Sequence, residues 1–330
     1  VAVTGVQTCA LPILHDCGKV VTPEYVVDKA TKLETLYDRI HEIRMRFEVC
    51  KRETELAAWR SAFPQGLPAD ASAQVRAALD AIDQDFAFVA ESNLGSEYMS
   101  PEAIQRLRQI AARTWTRTLD DRLGISREES DRRAMLAPVA LPVQEALLSD
   151  QPYHKIPRPP GQAFSGDNPW GFRMQVPEYL YDRGELRNLS VERGTLTDEE
   201  RYKINEHIVL TIKMLEALPF PRHLSKVPEI AGSHHERIDG KGYPRAVAAG
   251  SLSIPARMMA IADVFEALTA PDRPYKSGKP IAEALDIMRK MAAGGHLDKD
   301  LFEVFAQSGI PSRYAETFLN ASAHTGGALQ

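Results

Sequence analysis

Long apolar runs are missing from this chain. No stretch reaches the roughly 18–20 apolar residues that a membrane-spanning helix needs, so such a helix is not expected. Cysteine is scarce, and Cys9, Cys17 and Cys50 form neither a CxxC pair nor an even set. That excludes a disulfide framework and points to a reducing cytoplasm. A basic surplus is absent too. The net charge of -5 argues against a grip on nucleic-acid polymers, while leaving room for a local basic pocket for a small phosphate ligand. Alternating strand patterns are almost lacking, so the expected class is all-α.

What is present is helical periodicity. Leu36, Ile40, Ile43, Phe47 and Cys50 step by four and three, and Val75, Leu79, Ile82, Phe86 and Val89 repeat the steps. The turn-forming stretch 61–70 between them predicts a long helical hairpin. Ser100-Pro101 opens a third helix with Ile104, Leu107, Ala111 and Trp115 on its apolar face. Eight of the 22 prolines then fall at 138, 142, 152, 157, 159, 160, 169 and 177, which predicts an extended connector. Thr197-Asp-Glu-Glu200 reads as a capping box opening the helix of His207, with Ile204, Ile208, Met214, Leu215 and Leu218 buried. Further helices are expected from Ile254-Pro255 and over about 280–291, with a frayed end after Thr317. Residues 1–13 resemble a signal peptide in apolarity but lack an initiator Met and a basic start. They read as a leader, either non-native or interior to a longer protein.

The chemistry concentrates in a few places. Gly232-Ser-His-His-Glu-Arg-Ile-Asp-Gly-Lys-Gly-Tyr-Pro244 sets His234 and His235 beside two carboxylates, a donor set suited to a first-row divalent metal. Glu236 and Asp239 could orient imidazoles from behind. Gly240 and Gly242 permit a tight loop, and Pro244 stiffens its exit. His15-Asp16 lies upstream with Gly18 and Lys19. An Asp can bridge two ions because it has two oxygens, and Lys19 offers a point charge to phosphate. By itself, His15-Asp16 could equally be a surface pair at a helix end. Asp263, in an apolar run, must be paired or metal-bound if buried; otherwise it lies on an exposed stripe. His207 reads either as a ligand or as a satisfied core histidine. Arg273 and Lys276 could grip phosphate or be ordinary surface charges.

Taken together, His15-Asp16-x-Gly18-Lys19, His207, His234-His235-Glu236-x-x-Asp239-Gly240-x-Gly242-Tyr243-Pro244 and Asp263 resemble the HD-GYP family of HD-superfamily phosphohydrolases. The resemblance also takes in Ala267–Lys276 and Gly295–Phe302. It implies an HD-type helical bundle holding two or three divalent ions, iron or manganese, and hydrolysing cyclic di-GMP in bacterial signalling. By the same match, His15, Asp16, His207, His234, His235 and Asp263 are the metal ligands, with Asp16 the bridge. Lys19 is the catalytic lysine beside the scissile phosphate. Arg273, Lys276 and the loop Asp239, Gly240, Gly242, Tyr243 and Pro244 bound the substrate.

Two departures from the family pattern stand out. The family carries a metal-binding His on a helix before the HD pair, where this chain has the leader. A long stretch also separates the two halves of the signature, its edges at Lys29–Leu33 and Arg193–Thr197. The expected organisation is therefore a leader at 1–13, a first HD-GYP part at 14–36, and a helical insertion and connector at 37–180. The main HD-GYP part follows at 181–310, then a tail at 311–330. The expected partners are a cyclic dinucleotide, a diguanylate cyclase or upstream sensor, and a second copy of the chain. The competing readings are a phosphohydrolase for another cyclic dinucleotide or nucleotide, and a catalytically silent binding module.

Overall fold

The structure is a computed structural model that describes residues 14–63, 65–66, 68–160, 168–270 and 278–319. The leader 1–13 and the residues from 320 on lie outside it, so the expectations for them are not met with structure. The chain divides into two compact units. The smaller is built from Lys29–Pro160 and Pro177–Arg201, and the larger from the described residues of Val1–Asp28, Gly161–Val176 and Tyr202–Gln330.

In the smaller unit, α1 (Ile40–Ala62) and α2 (Ala69–Asn93) form the hairpin that the two matching seams predict. Ile40, Ile43, Phe47 and Cys50 of α1 and Ile82 and Val89 of α2 are buried in one cluster. Leu36 is not part of that seam: it precedes the helix and is 89% exposed. Helix α3 (Pro101–Ala111) starts as expected, with Ser100 Oγ accepting from Ala103 N–H at 3.2 Å. It ends before Trp115, which lies instead on β1 (Thr114–Arg117). Alternating β-branched and aromatic side chains favour that strand once β2 (Val143–Ala146) supplies an antiparallel partner, Trp115 opposite Glu145. Helix α4 (Arg127–Arg133) follows β1. Within the proline-rich stretch, β3 (Lys155–Pro157) pairs with β4 (Tyr179–Asp182), and α5 (Glu185–Leu189) closes the unit. Among the described residues the named strands form only these two small sheets, and the class is predominantly helical as expected.

The capping box is present. Thr197 Oγ1 accepts from Glu200 N–H at 3.3 Å, and Glu200 Oε2 accepts from Thr197 N–H at 3.0 Å. The helix it opens, α6 (Asp198–Asn205), contains the division between the units and stops before His207. Glu200 also takes both ends of a buried ion pair, with Lys29 Nζ 2.8 Å from each carboxylate oxygen. Thr195 Oγ1 donates to Lys29 O at 3.1 Å, so the two sequence edges meet within the smaller unit.

The larger unit contains α7 (His207–Glu216), α8 (Val227–Ala231), α9 (Ile254–Thr269), α10 (Ile281–Ala293) and α11 (Lys299–Gln307). Ile208, Val209, Ile212 and Leu215 of α7 are buried, whereas Met214 and Leu218 are exposed at 42% and 52%. The buried face of α7 is thus rotated from the expected one, because Phe172 and the α8 cluster contact it from two sides. Leu14 and Cys17 pack against Leu215, Val227, Ile230 and Ala231. That contact anchors the turn carrying His15 and Asp16.

Candidate metal centre

Two histidines are fixed by the ends of short helical segments. His207 Nδ1 meets the Ile204 carbonyl at 2.5 Å, and His234 Nδ1 meets the Ala231 carbonyl at 2.6 Å. A carbonyl only accepts, so both rings carry the proton on Nδ1 and turn an Nε2 lone pair inward. Sequence suggests this arrangement only weakly, since each acceptor is simply the carbonyl three residues back.

The inward atoms converge on Asp16. His207 Nε2 is 3.1 Å and His234 Nε2 3.9 Å from Asp16 Oδ1. All three atoms are buried and none makes a hydrogen bond. Buried acceptors turned toward one another are costly unless a cation lies among them. Asp16 Oδ2, on the other side of the carboxylate, lies 3.3 Å from His15 Nε2 and 2.6 Å from Lys19 Nζ. Asp263, on α9, approaches His15 Nε2 at 3.8 Å and His235 Nδ1 at 4.0 Å. The ligand atoms of His207, His234 and His235 lie within 4.8 Å of one another, as do those of His15, Asp16 and His234. Two donor groups thus share His234, and Asp16 faces both. The donor set fits divalent metal.

Electrostatics point the same way. Burial pushes His234 down to about 4, and burial together with His234 pushes His235 down to about 3. Both are therefore neutral donors at pH 7. Burial opposes a charge on Asp16 as well, but contacts from His15, His207 and Lys19 outweigh it and hold the carboxyl below its usual range. Asp263 is lowered against burial by His15. Burial also opposes charge on His15, yet Asp16 and Asp263 outweigh it and push the imidazole up to about 10. The two carboxylates demand positive charge at this point.

Local packing sets the geometry. Gly18 is the second residue of the 3-10 turn Cys17–Val21, which lies against α7, and its N–H donates to Thr211 Oγ1 at 2.9 Å. A Cβ on Gly18 would lie 2.0 Å from the His207 carbonyl oxygen. Sequence reading missed Thr211; its signal is a single hydroxyl four residues after His207 in an apolar run. In the Gly240–Pro244 loop, Gly240 has φ +74°, and a Cβ on Gly242 would lie 2.4 Å from Arg237 N. These constraints bring the Tyr243 ring onto His235, stacked at 4.8 Å between centroids.

Two expected roles change. Glu236 orients no imidazole: its oxygens accept from Arg245 N–H at 2.7 Å and Val247 N–H at 3.1 Å, pinning the far side of the loop. Asp239 is exposed and accepts from Lys241 N–H at 3.0 Å and Arg237 at 2.6 Å, not from an imidazole. Arg273 and Lys276 lie outside the described residues. The structure brings together His15, Asp16, Lys19, His207, His234, His235, Tyr243 and Asp263.

The HD domain signature matches residues 131–301, just over half of the chain. The chain belongs to the HD domain family. His15 and Asp16 precede the matched segment and join this HD domain through the contacts described above. A 3′3′-cGAMP-specific phosphodiesterase of Vibrio cholerae is 45% identical over 84 residues, covering 26% of this chain and 19% of the relative. A cyclic di-GMP phosphodiesterase of Pseudomonas aeruginosa is 40% identical over 116 residues, 35% of this chain and 27% of the relative. A cyclic di-GMP phosphodiesterase of Thermotoga maritima is 35% identical over 114 residues, 34% and 30% respectively. The matches thus span less than a third of these relatives' lengths. With its signature residues, this HD domain is of the HD-GYP type.

Proposed function

We propose that the chain is a metal-dependent phosphodiesterase that hydrolyses cyclic di-GMP. The observation that carries this reading is the buried, hydrogen-bond-free convergence of Asp16 Oδ1, His207 Nε2 and His234 Nε2. The ligands are His15, Asp16, His207, His234, His235 and Asp263, and the ions two or three in number, iron or manganese. When bound, such ions supply Lewis-acid polarisation of a phosphoryl oxygen and lower the pKa of a water. Lys19, 45% exposed and tethered to Asp16, is the chain's own cation for a phosphate oxygen. Tyr243, held flat on His235, forms a wall of the substrate site together with Asp239, Gly240, Gly242 and Pro244. Arg273 and Lys276 hold the substrate's phosphates.

A second substrate, 3′3′-cGAMP, is favoured by the specificity that the Vibrio relative's name carries. The two share the phosphodiester that the metal centre meets, and differ in one base. In this reading residues 37–180 are an insertion into a domain formed by 14–36 and 181–310. The protein is cytoplasmic and takes its input from a sensor or a diguanylate cyclase. Exposed Leu56, Trp59 and Phe63 at the end of α1 support pairing with a second copy.

The test is anaerobic reconstitution of the purified chain with Fe²⁺ or Mn²⁺, followed by chromatography after incubation with cyclic di-GMP, 3′3′-cGAMP and linear dinucleotide. Turnover of a cyclic dinucleotide, lost together with bound metal in Asp16→Asn, is expected. Metal-loaded protein that binds cyclic dinucleotide without forming product would make it a silent module. Preference for the linear compound would displace the cyclic di-GMP assignment.

A further inference from the structure

The smaller unit holds a polar cavity of about 330 Å³ at the junction of α1, β1, α4, β3 and the segment joining β4 to α5. Its lining is unusual in the balance of its charges. The carboxylates that face it are already committed. Glu185, 3% exposed, pairs with Arg46 at 2.8 Å and accepts from Ser149 N–H at 3.0 Å. Glu129 pairs with Arg133 at 2.9 Å and Glu145 with Arg117 at 2.8 Å. Glu42 accepts from the Tyr37 hydroxyl and lies 3.9 Å from Arg46.

The cations are not all committed. Arg39 donates only to main-chain carbonyls, those of Arg183 at 2.8 Å and Leu33 at 3.2 Å. Arg132 donates to the Tyr153 carbonyl at 3.3 Å, and Arg183 lies 5.8 Å from the Tyr181 ring. Among the described residues, none of these three guanidinium groups has a carboxylate within ion-pairing distance. Two neutral donors belong to residues of the same lining. The Trp115 Nε1–H is buried without a hydrogen-bond partner. His154 Nδ1 accepts from Gln151 N–H at 3.1 Å, so its ring proton is on Nε2. Burial and the neighbouring arginines push that imidazole down to about 4, which keeps it neutral. The uncommitted groups are thus donors: three guanidinium groups, an indole and an imidazole.

We infer that this cavity is a binding site for a small organic anion bearing carboxylate or phosphate groups, separate in its residues from the metal centre. Guanidinium groups present paired N–H donors that match either anion in bidentate fashion. The stack of Arg133 on Tyr153, 4.0 Å from cation to ring centroid, stiffens one wall. The cavity volume limits the occupant to a metabolite-sized molecule. This inference does not depend on the phosphodiesterase reading, because no residue is shared.

The experiment uses the full chain with Trp59 and Trp170 replaced by Phe, which leaves Trp115 as the single tryptophan of the three. It is titrated with inorganic phosphate, succinate and citrate against sodium chloride at matched ionic strength. Calorimetry on the unaltered chain serves as the second measurement. At least one probe is expected to give a saturable change in both. Arg132→Met and Arg183→Met should each weaken that binding about tenfold. Arg76→Met, on the exposed face of α2, should leave it unchanged. A response to phosphate alone assigns a phosphate-bearing ligand, and a response to succinate or citrate a carboxylate. Failure of all three probes to saturate in either measurement overturns the inference, as does equal weakening by Arg76→Met.

Discussion

Gly18 lies directly on the first turn of the helix that begins at His207, its amide bonded to Thr211 Oγ1 at 2.9 Å. A methyl group there would come 2.0 Å from the His207 carbonyl oxygen. Gly18→Ala must therefore move the turn that carries His15 and Asp16 away from His207 and His234. We expect metal affinity to fall about 10- to 100-fold, as when groups that position ligands are disturbed. The fold should persist by circular dichroism. Metal titration checks this; affinity equal to that of the unaltered chain would separate Gly18 from the site.

Asp16 and Lys19 are expected to part company on substitution. Asp16→Asn removes the charge that draws positive groups from both sides, so metal content and turnover should fall together. Lys19→Met leaves the cage intact and should keep its metal while turnover drops about 10²–10³-fold. Elemental analysis beside a rate measurement distinguishes the two. Loss of metal from Lys19→Met would make the lysine a prop for Asp16 and nothing more.

Glu236 makes its contribution through main-chain amides. Glu236→Ala leaves Arg245 N–H and Val247 N–H without their acceptors, and should cost about 1–3 kcal/mol. Glu236→Gln retains one acceptor oxygen and should cost less. Thermal unfolding of the pair gives the order, and equal losses would mean that packing, not hydrogen bonding, fixes the loop.

His154 gives a dependence on pH with a definite sign. Its folded value, pushed down to about 4, lies below the ordinary histidine value near 6.5. Between those limits the unfolded chain binds a proton that the folded chain refuses. Its contribution is complete above about pH 6.5 and is lost as pH falls toward 4, with a slope of at most ~1.4 kcal/mol per pH unit. His154→Gln should flatten the stability profile over that interval relative to the unaltered chain. Parallel profiles would place the imidazole in water.

Lys29→Met should be among the most damaging single changes outside the metal centre, about 3–5 kcal/mol, because it strands the buried Glu200 carboxylate. Adding Glu200→Gln should recover part of that loss. No recovery in the double variant would mean that the methylene stem of Lys29, not its charge, matters.

The metal centre was legible because imidazoles and carboxylates in such company have few other uses. His234-His235 and His15-Asp16 announce themselves by adjacency. Glu236 was misread for the same reason, since adjacency to a ligand says nothing about amides nine and eleven residues onward. Helix periodicity located α1, α2 and α3, the Ile254-Pro255 start located α9, and α7 was read as one helix with α6. Periodicity could not say where a face ends, so Leu36, Met214 and Leu218 were drawn into seams whose neighbours they do not reach. Trp115 needed a partner strand that only the folded chain supplies. The arginine-lined cavity left no local trace, because its walls come from elements scattered between Tyr37 and Glu185.

Lys29 and Glu200 stand 171 positions apart, at or beside the outer sequence limits of the smaller unit. One electrostatic clasp therefore joins the first and last stretches of that unit, although the chain between them leaves it once, over Gly161–Val176. Shortening or exchanging what lies between must then spare the segment of Phe172, which packs on α7 in the larger unit.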